Sequence, residues 1–149
     1  MSQSSTLSAA EQRTLAAVAH LMIPPSAEYG VPGADDPAIM ADIVNSLGRD
    51  EAEVRAALAR LDALAGGGFA DLPAPQREAI AATFRADGGP LLAALTRAIL
   101  LCYYRDERVM RSIGMEVRPP FPKGHELEQG DWSLLDPVRK RAKLWRDAP

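Results

Sequence analysis

An all-α bundle of five to six helices, followed by a long extended arm rich in proline and aromatic residues, is the fold that this sequence predicts. Three observations point to it. Apolar residues recur at spacings of three and four from Ser8 to Gly114. Glycine and proline clusters punctuate those stretches where helices would start and stop. No run of alternating β-branched residues occurs anywhere in the chain.

Ser8 with Glu11 three residues later reads as a capping box, and Leu15, Val18, Ala19 and Met22 make one apolar face, so the first helix is expected over Ser8–Ile23. Pro24 and Pro25 end it, and a loop containing Gly30, Pro32 and Gly33 runs to Asp35. Asp36 followed by Pro37 gives a cap and a first-turn proline for a second helix, with Ile39, Met40, Ile43, Val44 and Leu47 inward and Gly48 as terminator. A third helix restarts at Asp50, carries Val54, Leu58, Leu61 and Ala65 as a narrow stripe, and stops at Gly66, Gly67 and Gly68. That triple glycine follows a helix rather than a strand, and no Lys-Ser or Lys-Thr pair comes after it. It therefore reads as a helix terminator and not as a phosphate cradle. Pro73 or Pro75 opens a fourth helix anchored by Ile80 and Phe84 and closed at Gly88 and Gly89. The fifth, from Pro90 to about Tyr104, is almost continuously apolar and is expected at the centre. Asp106 caps a short sixth helix ending at Gly114, with Val109, Met110 and Ile113 facing in.

Beyond residue 117 the pattern changes. Pro119, Pro120 and Pro122 withhold backbone donors and favour extended backbone, so residues 118–149 read as an arm beside a helical body of residues 1–117, within a single domain overall. Phe121, Leu127, Trp132, Leu134, Leu135 and Trp145 lie along it, a composition at odds with a polar disordered tail. Asp136 and Pro137 can cap one short helix there.

A chain of 149 residues can bury roughly 70% of its unfolded surface and needs no metal or disulfide to fold. Cys102 is the one cysteine, which excludes an intrachain disulfide and fits a reducing compartment. The amino terminus, MSQSSTLSAAEQ, shows neither a charged n-region nor an apolar h-region nor a twin arginine, and the expected location is cytoplasmic. The longest apolar run, Ala98–Tyr104, is far shorter than the about 20 residues of a membrane helix. The formal charge is −3, divided unevenly: residues 118–149 hold seven Lys or Arg against five Asp or Glu, and the rest ten against fifteen. An acidic body argues against a nucleic-acid role, and the cluster Arg139, Lys140, Arg141, Lys143 and Arg146 reads as a solvated face.

Catalytic patterns are sparse. His20 and His125 are the only histidines, and neither stands at metal-ligand spacing from a cysteine or carboxylate. His20 reads as a hydrogen-bonded structural residue, while His125, beside Glu126, is freer to meet a ligand. No nucleophile elbow and no dinucleotide fingerprint is present, and Cys102 falls in the most apolar helix. Tyr103 and Tyr104 point about 100° apart on a helix, so one ring is expected in the core and the other outside it.

CYYRDERVMRSIGM (Cys102–Met115), the strip RPPFPKGHELEQGDWSLLDPVRKR that starts at Arg118, and the early segment LMIPPSAEYGVPGA together resemble the gluconate 2-dehydrogenase subunit 3 family. These are small accessory subunits of flavin-dependent dehydrogenases. The resemblance covers both ends of the chain, while the alanine-rich middle is generic. It implies a non-catalytic partner of a large FAD subunit of the glucose-methanol-choline type, oxidising an alcohol or sugar hydroxyl, with flavin and catalytic base both in that other chain. Many members carry a twin-arginine signal, which is missing here. Partner-binding or active-site-entrance residues are then expected among Tyr103, Tyr104, Arg118, Phe121, Pro122, Lys123, His125, Trp132 and Trp145. No cofactor, metal, nucleic acid or membrane is expected to bind this chain itself. A free-standing small-molecule binder or enzyme, with a pocket between arm and bundle lined by Tyr104, Arg118, Lys123 and His125, is the alternative. A nucleic-acid module using the basic carboxy-terminal helix is a third reading.

Overall fold

The computed structural model describes residues 7–119, 121, 124 and 128–143. The chain divides into two compact units, Met1–Val117 and Arg118–Pro149. Among the described residues the regular structure is helical, with no named strand. This is the all-α class that the periodicity predicts.

The first unit holds α1 (Ala9–Met22), α2 (Pro37–Ser46), α3 (Glu51–Leu64), α4 (Ala74–Asp87), α5 (Gly89–Tyr103) and α6 (Glu107–Ser112). Their ends are chemically specified. The Ser8 hydroxyl accepts from the Glu11 N–H while the Glu11 carboxylate accepts from the Ser8 N–H at 2.6 Å, which is the reciprocal capping box. Asp36 and Asp106 each accept a hydrogen bond two residues on, from Ala38 and Arg108, and so cap α2 and α6. α3 and α6 both close in Schellman motifs. The Gly67 N–H bonds the Asp62 carbonyl and Gly66 that of Ala63, and likewise Met115 bonds Met110 and Gly114 bonds Arg111. Gly66 and Gly114 take φ of 73° and 76°, the left-handed conformation such a motif requires.

The core is built around the α3–α5 pair. α5 also packs on α2, and α3 on α1 and α4. Val54, Leu58, Leu61, Leu95 and Ile99 are almost wholly buried, and the small side chains Ala57, Ala94 and Ala98 let the helices approach closely. The helix expected to be central therefore shares that place with α3.

Three features depart from the sequence reading. The triple glycine is more than a terminator, because it turns the chain so that Phe69, in a 3-10 turn over Phe69–Asp71, becomes one of the largest fully buried side chains. The Phe69 N–H donates to Asp62 Oδ1 at 3.0 Å, and the buried Thr14 hydroxyl donates to the same carboxylate at 3.3 Å, tying α1, α3 and the turn together. Ile113, expected inward, is 53% exposed, because α6 ends at Ser112 and Ile113 leaves its inner face. In the second unit α7 (Asp136–Arg139) is the short helix expected at Asp136 and Pro137, and the 3-10 turn over Trp132–Leu135 that leads into it was not expected. Asp131 caps that turn by accepting from the Ser133 N–H at 3.0 Å.

Candidate functional site

The end of the first unit where α1 stops and α5 gives way to α6 carries a shallow aromatic groove of about 270 Å³. The loop after α1 supplies one wall. Ser26 and Val31 exchange both backbone hydrogen bonds, at 3.0 and 3.1 Å, and the Ser26 hydroxyl accepts from the Tyr29 N–H. This tight loop, with Gly30 at φ 62°, directs Val31 into the groove and leaves Tyr29 66% exposed. The Ala34 N–H bonds the Ile23 carbonyl at 2.9 Å and fastens the returning strand of the loop to the end of α1. Gly33 is required by close approach: a Cβ there would lie 2.3 Å from Asp35 Oδ1 and 2.9 Å from Pro25 Cδ. His20, at the same helix end, places Nδ1 3.0 Å from Asp35 Oδ2, the structural hydrogen bond expected of it.

The other wall is the tyrosine pair. Tyr103 is 4% exposed and its hydroxyl donates to the Pro32 carbonyl at 3.3 Å, so it joins α5 to the loop. Burial, with Tyr104 and Asp106 nearby, pushes its phenol above the usual range. Tyr104 is 52% exposed, and the two rings meet edge to face with centroids 5.3 Å apart. One ring is thus core and the other rim, as expected from the 100° offset. Val109 and Ile113 from the α6 segment complete the lining.

Arginine pairs hold this end in place. Arg108 spans the caps of two helices, donating to both oxygens of Asp36 at 2.9 and 3.0 Å and to Asp106 at 3.0 Å. Arg105 donates to Asp42 at 2.6 Å and so fixes the end of α5 to α2. The hydrogen bonds from Arg108 hold both cap carboxyls, and the bond from Arg105 holds Asp42, below the usual aspartate range. Burial first, and then the Asp42 charge, push the Cys102 thiol up to about 11, which leaves it a packing group at neutral pH. Carboxyls with depressed folded values contribute stability above the unfolded value of 3.8 and lose it as pH falls below that. The seating of α6 on α2 is therefore expected to fail in acid, below about pH 3.8, seen as a fall in amide protection factors, corrected for the intrinsic exchange rate at each pH, in residues 107–112. Arg108→Gln should weaken the seating at neutral pH and flatten its acid dependence. Equal acid profiles in both proteins would refute the linkage.

Among the other sequence-predicted residues, Phe121 is 84% and Trp132 62% exposed in the second unit. Arg118 donates to the Gly124 carbonyl at 2.7 Å and to that of Pro119, both within the arm. Pro122, Lys123, His125 and Trp145 lie outside the described residues. Tyr29 and Val31 are groove residues that periodicity missed; an aromatic residue inside a Pro/Gly-rich loop was the one signal available. Among the described residues, no group of three or more His, Cys, Asp or Glu is placed to hold a metal ion, and no helix is long and apolar enough to cross a membrane. The groove offers apolar and aromatic contact area. Comparison with family models, with curated proteins and with solved structures finds no match to this chain.

Proposed function

We propose that this chain is a non-catalytic accessory subunit that stabilises and completes a large FAD-dependent oxidoreductase of the glucose-methanol-choline type, which oxidises an alcohol or sugar hydroxyl. The observation that carries the reading is the amount of large apolar side chain left in water: Tyr29, Tyr104, Ile113 and Met115 in the first unit, and Phe121, Trp132 and Leu134 in the second. Contiguous exposed apolar and aromatic surface marks a protein interface in a folded domain. Tyr104 and Phe121, which lie in the segments that bear the family resemblance, supply part of that surface. In this reading the groove and the arm dock on the flavoprotein, and flavin and catalytic base belong to the larger chain.

The test is to look in the neighbouring reading frames for a large flavoprotein with a dinucleotide fingerprint and to express it with and without this chain. The expected result is a co-purifying complex, and a large subunit that is insoluble or poor in flavin when expressed alone. Full FAD content and full activity of the large subunit by itself would overturn the proposal.

A further inference from the structure

The first unit carries a second and larger concavity, which shares only Ile23 with the lining of the tyrosine groove. A cleft of about 380 Å³ opens between α1, α3, α4 and α5. Its floor is buried and apolar, made by Val18, Leu61, Phe84 and Leu95. Its walls are the partly buried Leu21, Leu92 and Leu100. Two polar side chains enter it, Thr96 and Arg85. Size and lining fall in the range of small-molecule sites, which are mostly apolar with a few placed polar groups.

The charges of the unit single out Arg85. Of the ten arginines between residues 7 and 117, eight hold a carboxylate within ion-pair distance: Arg13, Arg49, Arg55, Arg60, Arg97, Arg105, Arg108 and Arg111. Arg77 and Arg85 hold none among the described residues, and both lie on α4, on the row that also contains Ala81. Arg77 Nε is buried with no hydrogen-bond partner among the described residues. Thr83, on the same helix, bonds the Ala79 carbonyl at 3.1 Å, whereas the Thr96 hydroxyl makes no such bond among the described residues, and Thr96 lines the cleft. Arg85 also lines an outer recess shared with Leu21, Ala81 and Glu78, so it stands at the mouth of the cleft. Glu78 repels an anion on the outer side, which leaves the Arg85 and Thr96 side for a negative head group and the floor at Phe84 and Leu95 for an apolar chain.

We propose that this cleft binds an unbranched aliphatic monocarboxylate, with the carboxylate at Arg85 and Thr96 and the chain running inward over Phe84 and Leu95. This site meets the tyrosine groove only at Ile23 and does not depend on the flavoprotein reading. The purified full chain is titrated with hexanoate, octanoate, decanoate and dodecanoate below their micelle concentrations, with Kd read by calorimetry. Affinity should rise about fourfold per added methylene until the cleft is full. Arg85→Gln should weaken decanoate roughly tenfold while keeping the methylene dependence, because a charge-assisted hydrogen bond is lost and the apolar contact is not. Decanol should bind wild type and Arg85→Gln alike. Leu92→Trp, which fills the cleft from its wall, should abolish binding with unchanged circular dichroism. Absence of decanoate binding at millimolar concentration, affinity independent of chain length, an Arg85→Gln variant as tight as wild type, or binding that survives Leu92→Trp would each overturn the assignment.

Discussion

Phe69→Ala is expected to be the most damaging single truncation in the first unit, lowering stability by about 3–5 kcal/mol and the melting temperature by roughly 10 °C or more. The ring is 0% exposed and lies in a short turn held at both ends. On one side three glycines with positive φ, Gly66, Gly67 and Gly68, set the direction of the chain. On the other, the Phe69 N–H is bonded to Asp62, which also takes the Thr14 hydroxyl. A turn fastened in this way cannot collapse into the space left by the ring, so the cavity term adds to the lost transfer free energy. Phe69→Leu keeps most of the volume and should cost about 1–1.5 kcal/mol. Denaturant titration of both variants decides the matter. A loss under about 1 kcal/mol for the alanine variant would mean that the turn relaxes and that the Asp62 bonds do not hold it.

Phe69 also shows where sequence reading stops. The helices were legible because their signals are local. A Ser with Glu three residues on, an Asp before a helical start, and a Gly after the last periodic position each act within one turn of backbone, and the structure shows the caps at Ser8, Asp36 and Asp106 and the Schellman glycines at Gly66 and Gly114. Phe69 belongs to no periodic run, and its burial depends on the bond its backbone makes to Asp62 seven residues away. Ile113 fits the apolar spacing of α6 but lies past its end, where the Schellman turn takes it out of register. The groove was half legible for the same reason. Adjacent tyrosines on a helix point about 100° apart, so the expectation of one core ring and one outer ring needs only local geometry. That Tyr29 and Val31 would meet Tyr104 and Ile113 depends on the loop bonds to Ile23 and the Tyr103 hydroxyl bond to Pro32, across a separation of 71 residues. The ion pairs of Arg97 with Asp50 and Arg108 with Asp36, 47 and 72 residues apart, were likewise out of reach of any window along the chain.

If the chain is the accessory subunit proposed above, Tyr104→Ala is expected to weaken its complex with the large flavoprotein by 30-fold or more, about 2 kcal/mol, while changing the stability of the chain alone by no more than about 1 kcal/mol, the worth of its edge-to-face contact with Tyr103. The separation of these effects follows from the two rings. Tyr104 is half in water and its side chain makes no hydrogen bond among the described residues, so its loss costs the free chain little beyond the ring contact with Tyr103. Buried in an interface, an aromatic side chain over a groove floored by Tyr103 and Val109 has the setting in which truncation is costly. Tyr103→Phe is the converse case: it removes the bond to the Pro32 carbonyl, costs the chain about 1 kcal/mol, and leaves the outer face of the groove intact. Ile113→Asp places a charge in the exposed lining and should match Tyr104→Ala in its effect on the complex. The measurement pairs melting of each variant alone with its affinity for the large subunit and the flavin content of the resulting complex. If Tyr104→Ala and Ile113→Asp bind as wild type while Phe121→Ala or Trp132→Ala does not, the arm alone forms the interface. If all four bind as wild type, the exposed aromatic surface has no part in the assembly, and the accessory-subunit reading loses the observation on which it rests.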